Sequence, residues 1–310
     1  MADAGELGRV IIPADRMRHR PGLDAGPRWQ ESYFLGWADL STRSAGSHHI
    51  SLAPGIGSAH VWSWLVVDGD RVGRSQAHDL PLPGGELTDM QVGSLHVRAG
   101  DSLREMSLSA SFEKADLNLD FKAICDPVEV NFNVGDTVLG ERHYEAMGFA
   151  RGAVTLEGRT LPIDAAAWHD HSWGARDFGT NPSSRFLFAV FGDDLAFSVF
   201  SFVTSFGASQ FGWVFDAGRV HHVTRARFRA VIANDGATPE SVDVDLWTEG
   251  GRGYHLTGEV LATGLTGGEG WFGVDGVTRF RCGGRLGAGF FEPAELKGPT
   301  PSMRAELGLK

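Results

Sequence analysis

Ten consecutive residues bring together two Trp, two His, two Asp and one Arg: Trp168-His169-Asp170-His171-Ser172-Trp173-Gly174-Ala175-Arg176-Asp177. These are the side chains of proton transfer. A carboxyl in an apolar setting holds its proton towards neutral pH. Asp170 could also orient a histidine through the second ring nitrogen. Arg176 with Asp177 could grip neighbouring carboxylates or a bound oxyanion. Buried ionisable groups are costly unless paired, so the stretch reads either as a pocket wall or as a charged corner locking two sheets. On extended backbone Trp168, Asp170, Ser172 and Arg176 share one face, and His169, His171, Trp173 and Asp177 share the other. A single Asp170–His171 unit would therefore need a bulge or sharp bend, and Gly174 fits a chain that turns tightly. The expected catalytic set is Asp170, His171, His169, Arg176 and Asp177. The expected substrate-binding set is Trp168, Trp173, Trp62, Trp64, His48 and Trp213.

Other chemistries fit less well. His169-x-His171 has the spacing of a metal pair, but such a site needs further ligands, and no Glu follows closely, so no metal is expected. His48 and His49 are adjacent, so at most one faces a given pocket, and His48 is taken as the pocket member. Trp62 and Trp64 fit the lining of a first barrel, as packed core or as a ligand wall, and Trp213 does the same in a second. The glycines form no dinucleotide-binding fingerprint, and no Gly-x-Ser-x-Gly elbow activates a serine. No organic cofactor is implied. With a formal charge of −11 and no basic tract, a nucleic-acid partner is not expected.

The elements around the stretch are strands. The chain has 42 Gly and 20 Phe, and no long amphipathic helical pattern. Arg104–Phe112, Ala115–Ile124 and Ser241–Trp247 alternate with a period of two, the pattern of antiparallel sheet with one wet face. Asp68-Gly69-Asp70, Glu157-Gly158-Arg159 and Asp216-Ala217-Gly218-Arg219 are turn signals. The hairpin Arg151–Ile163 leads into the ten residues, and apolar strands over Phe186–Phe202 follow them. The expected fold is all-β, with two antiparallel β-barrel domains packed side by side at residues 28–146 and 147–310. Cys125 and Cys282 make no disulfide framework, the first twenty residues lack a secretory pattern, and no apolar run is long enough for a transmembrane segment. A cytoplasmic chain is expected, with edge strands that leave room for a homodimer.

Trp168, Asp170, His171, Trp173 and Gly174 resemble the Trp-x-Asp-His-x-Trp-Gly motif of the AttH and carotenoid 1,2-hydratase (CrtC-like) group. Fungal lipocalin-like Diels-Alderases share its broad architecture. The resemblance implies tandem lipocalin-like, or calycin, domains over roughly Trp29–Phe291. It also implies a cofactor-independent enzyme that acts on an apolar small molecule between them. Asp170 then takes the proton-donor position, and Trp168 and Trp173 take aromatic positions facing a developing cation. His169 departs from the motif, and the scarcity of Tyr leaves few additional acids, so a terpenoid and an aromatic ring compound fit equally. The reaction stays open among hydratase, cyclase, isomerase and lyase. A non-catalytic carrier of a hydrophobic small molecule is the alternative.

Overall fold

The computed structural model describes residues 8–22, 26–131, 133, 138, 140–177, 183–204, 207–268, 271–293 and 299–309. The first sheet contains β1 (Trp29–Asp39), β2 (Ser44–Ala53), β3 (Ser58–Val67), β4 (Asp70–Pro81), β5 (Met90–Val92), β6 (Leu95–Ala99), β7 (Glu105–Ser111), β8 (Ala115–Ala123), β9 (Val128–Glu129), β10 (Arg142–Leu156) and β11 (Arg159–Ala175). Its order is β4-β3-β2-β1-β11-β10-β8-β7-β6-β5, with β9 on β10, and it curls into a nearly closed barrel. The second sheet contains β12 (Ser183–Val190), β13 (Leu195–Thr204), β14 (Gly207–Asp216), β15 (Arg219–Ile232), β16 (Pro239–Thr248), β17 (Gly253–Gly268), β18 (Trp271–Cys282) and β19 (Arg285–Pro293), joined in sequence order into a closed barrel.

The all-β, two-barrel expectation stands, but the boundary moves. Residue 146 lies in the middle of β10, and β10 and β11 pair with β8 and β1 of the first sheet. The chain changes sheets between Ala175 and Ser183. The weakened alternation after Asp126, which suggested the earlier boundary, marks only the short β9 and the segment before β10.

Period-two burial yields three apolar layers. Tyr33, Leu35, Trp37, Ile50, Leu65, Phe121 and Ala167 fill the first barrel. Leu187, Phe197, Val214, Val244, Leu256, Phe280 and Phe291 fill the second. The third is a seam between the barrels, where Trp64, Met147 and Trp168 of the first sheet meet Phe188, Phe200, Trp213 and Phe290 of the second. Both interiors are occupied by side chains, as small barrels require. At the seam Gly264 of β17 packs closely against Trp64: an added Cβ would come within 2.1 Å of the indole. No helix of the described residues is long and apolar enough to cross a membrane.

Candidate functional site

The first sheet presents three transverse rows of side chains to the seam. Strand pairing sets the middle row as Trp62, His49, Phe34, Asp170 and Glu145 on β3, β2, β1, β11 and β10. One side of it is the row Trp64, Ser47, Gly36, Trp168 and Met147, and the other is His60, Ser51, Ser32, Ser172 and His143. β11 pairs with β1 and β10 without a register shift, so no bulge rotates a side chain here. Trp168, Asp170, Ser172 and Arg176 share the seam face as their spacing requires.

Asp170 and Glu145 are directly opposed across two antiparallel strands, an arrangement that disfavours two like charges. Glu145, fully buried, is held by two donors: His143 Nε2 at 2.9 Å and Trp213 Nε1 of the second barrel at 2.6 Å. Asp170 is half-buried and accepts no hydrogen bond among the described residues. Burial pushes its carboxyl up to about 7, with His143 and Arg176 opposing and Glu145 reinforcing the rise. Two neighbouring carboxyls thus have opposed environments, one fixed by donors and one left holding a proton near neutrality.

Arg176 is 7% exposed. Its Nη2 donates to Ser172 Oγ at 2.9 Å and to Ser172 O at 3.2 Å. Burial lowers its pKa to about 10, with Asp170 resisting the drop, so it keeps its charge at neutral pH. His49 stacks on Trp62 at 4.9 Å. Its pKa is lowered to about 3 by burial, reinforced by the charges of Arg176 and His60. The Trp168 ring lies 5.1 Å from Phe34 and 4.8 Å from Phe186.

The odd-numbered partners of the motif point the other way. His171 lies in the first barrel, its Nε2 donating to Glu31 Oε1 at 2.9 Å while its Nδ1 accepts from the Tyr144 hydroxyl at 3.2 Å. The expected Asp170–His171 unit therefore does not form, because a regular strand sends neighbours to opposite faces. His19 Nδ1 also donates to Glu31 Oε1, at 2.8 Å, and the His19 ring stacks on Trp173 at 3.7 Å. Burial works to raise the Glu31 carboxyl, but its hydrogen bonds from His171 and His19 outweigh that and hold it at about 2. His169 is in the same barrel, its Nδ1 donating to Phe34 O at 2.7 Å. His169, His171 and Trp173 thus line the first barrel and do not reach Asp170.

His48 is likewise core. Its Nε2 accepts from Trp37 Nε1 at 3.0 Å, and its Nδ1 is 2.6 Å from Ser63 Oγ. The adjacent His49 is the seam member of the pair. Trp62 and Trp64 lie outside the first barrel and face the seam, and Trp64 donates to Asp275 Oδ2 at 2.7 Å. Asp177 is a surface residue paired with Arg28 Nη1 at 2.5 Å. Sequence reasoning missed Glu145, His143, Glu31, His19 and Tyr144. Glu145 was within reach of it, since hairpin pairing from the Glu157-Gly158 turn sets it opposite Asp170. Glu31 and His19 carried no such signal.

His19, Glu31 and His171 place ligand atoms within 4.8 Å of one another and could hold a metal ion, as could the more exposed Asp243, Asp245 and His255. In the first group both imidazoles already bond Glu31, and in the second Arg229 already bridges the two carboxylates. The largest cavity described, about 880 Å³ between β4 and β17, contains no group of the seam site. Its Arg71 is paired with Glu306 at 3.2 Å, and nothing in it resembles a proton-transfer centre.

The family model described as a domain of unknown function (DUF7064) matches residues 12–297. No curated protein matches the chain in sequence. Among solved structures, an AttH candidate from Nitrosomonas europaea aligns over 93% of this chain and 98% of its own, with a TM-score of 0.67 and 15% identity. Kievitone hydratase from Nectria haematococca aligns over 93% of both chains, with a TM-score of 0.64 and 12% identity. CghA aligns over 88% of this chain and 90% of its own, with a TM-score of 0.61 and 13% identity. At these identities the likeness is one of fold, and that fold is the tandem barrel implied by the motif.

Proposed function

We propose that this chain, which belongs to the DUF7064 family, is an acid/base enzyme that protonates a hydrophobic small molecule at the seam between its two barrels. Asp170 is the proton donor. The observation that carries the reading is the Asp170–Glu145 pair: Glu145 is tied by His143 and Trp213, and Asp170 has no hydrogen-bond partner among the described residues and a pKa raised to about 7. An acid with a midpoint near the working pH is both protonated and willing to donate. Glu145, His143 and Trp213 are positioning residues that act through Asp170.

The surroundings suit the product of protonation. A proton delivered to a carbon–carbon double bond leaves a cation on the substrate, and aromatic ring faces stabilise it. Phe34, paired with Asp170, and Trp168, two residues away on the same face, are the nearest rings, and Phe186 and Phe200 pack against Trp168. The conjugate carboxylate of Asp170 can then take a proton back, from water that adds or from a neighbouring carbon. Hydration, cyclisation and isomerisation are variants of this one step, and a structure sharing the fold is a hydratase by name. The side chains named perform the transfer unaided by any organic cofactor.

The test is Asp170→Asn, which keeps the shape and removes the acid. The expected outcome is ligand binding retained and turnover lost by about 10²- to 10⁴-fold. Unchanged turnover of a substrate by the folded variant rejects Asp170 as the donor. Binding retained in both proteins with no chemical change in any bound compound rejects catalysis and favours a carrier.

A further inference from the structure

Several buried polar atoms on the seam have no hydrogen-bond partner among the described residues: Arg176 Nε, Trp168 Nε1, His49 Nδ1, Ser47 Oγ and Ser198 Oγ. Native interiors leave few such groups, and each calls for an explanation. All five residues lie on strand faces directed at the seam, on β11 and its extension, β2 and β13. Two of the five atoms, Arg176 Nε and Trp168 Nε1, are obligate donors. They sit on the same face of one strand as Asp170.

Arg176 is the most demanding of them. Its side chain is more than nine-tenths buried. A buried guanidinium is tolerated when a carboxylate or similar anion pairs with it. Among the described residues none does: Arg176 makes no ion pair, and its side-chain hydrogen bonds go to Ser172 alone. Asp170 influences it electrostatically but lies beyond ion-pair contact, and burial favours the neutral form of that carboxyl. A planar fork of donors, an unpaired indole N–H and a cluster of aromatic rings match one kind of occupant.

We propose that the seam site selects a planar aromatic or conjugated molecule carrying an anionic oxygen (a phenolate, enolate or carboxylate), with Arg176 as the specificity-determining residue that receives it. This deepens the acid/base reading, on which it rests for the role of Asp170. An oxygen anion held by Arg176 and conjugated with the bond that Asp170 protonates cancels the positive charge that the added proton would otherwise leave on the substrate. The two groups lie on one face, so they reach the same molecule. Trp168 Nε1 supplies a further donor to the ligand, beside the packed rings of Trp168, Phe34 and Phe186.

Paired probes test the charge requirement without a known substrate. Naphthalene-2-carboxylate and naphthalene-2-carboxamide share shape and differ in charge. Isothermal titration calorimetry of the full chain at pH 8 is expected to give carboxylate binding roughly 10- to 100-fold tighter than carboxamide binding. Arg176→Gln should reduce carboxylate binding to the carboxamide level and leave carboxamide binding unchanged. Arg176→Lys should keep a smaller preference, since it retains the charge and loses the fork. Equal binding of both probes to the unaltered protein overturns the proposal, as does a preference that survives Arg176→Gln, or binding of neither probe. The unaltered-protein comparison holds even when Arg176→Gln does not fold. Asp170→Asn should retain the carboxylate preference, so a lost preference and a lost proton donor are separate failures.

Discussion

Replacing Asp170 with Asn has a stability signature that a purely structural carboxyl would not give. Among the described residues Asp170 carries no hydrogen bond for Asn to break, and burial raises its midpoint from 3.8 to about 7. Below pH 3.8 the carboxyl is protonated whether the chain is folded or not, and it costs the fold nothing. As pH rises from 3.8 to 7 the unfolded chain loses its proton and the folded one keeps it, so native stability falls. Above about 7 both forms are ionised and the loss levels off. At 1.36 kcal/mol per pH unit, this separation corresponds to at most about 4 kcal/mol of native stability lost at pH 8. Asp170→Asn removes the penalty. Urea denaturation should show the variant equal to the unaltered protein near pH 3.5, and more stable by about 2 to 4 kcal/mol at pH 8. Turnover should fall by about 10²- to 10⁴-fold over the same range. The combination, more stable and less active, marks a group kept for chemistry against the interest of the fold. A variant less stable at pH 8, or a difference that does not change with pH, refutes the reasoning.

Three further outcomes follow from the geometry. Glu145→Gln removes the charge opposite Asp170, so the Asp170 titration, followed by carbon-13 shifts of its carboxyl, should move to lower pH; an unmoved or raised midpoint contradicts the assigned coupling. His48→Ala strips Trp37 Nε1 of its acceptor in the first barrel and leaves a cavity. It should cost about 2 to 4 kcal/mol in urea denaturation with naphthalene-2-carboxylate affinity unchanged, whereas a pocket residue would show the reverse. Gly174 has φ +124°, and an added Cβ would meet Glu141 N at 2.3 Å. Gly174→Ala should therefore lower stability by about 1 to 3 kcal/mol, and a neutral result would show that β10 and β11 can separate there.

Local pattern determined a large part of this molecule. The two-residue period of strands and the turn dipeptides are set by neighbouring residues, so the all-β class and the Glu157-Gly158 hairpin were legible. The faces of the ten-residue stretch were legible too, because alternation on a strand needs no tertiary information: Trp168, Asp170, Ser172 and Arg176 share a face as read. What alternation could not say is which face looks into a barrel and which into the seam. That depends on how each sheet curls and where the second barrel docks, so His48, His169, His171 and Trp173 were assigned to a pocket they do not face, and Trp62 and Trp64 were read as lining the first barrel when they face the seam. The boundary escaped for a related reason. β10 and β11 pair with β8 and β1, and long-range pairing leaves no mark in the segment that makes it. The decisive partners are long-range as well. Trp213 meets Glu145 from 68 positions away, and Glu31 meets His171 from 140. The sequence supplied an Asp among Trp and His. Only the docked barrels supplied the low-dielectric seam and the fixed carboxylate that make it an acid.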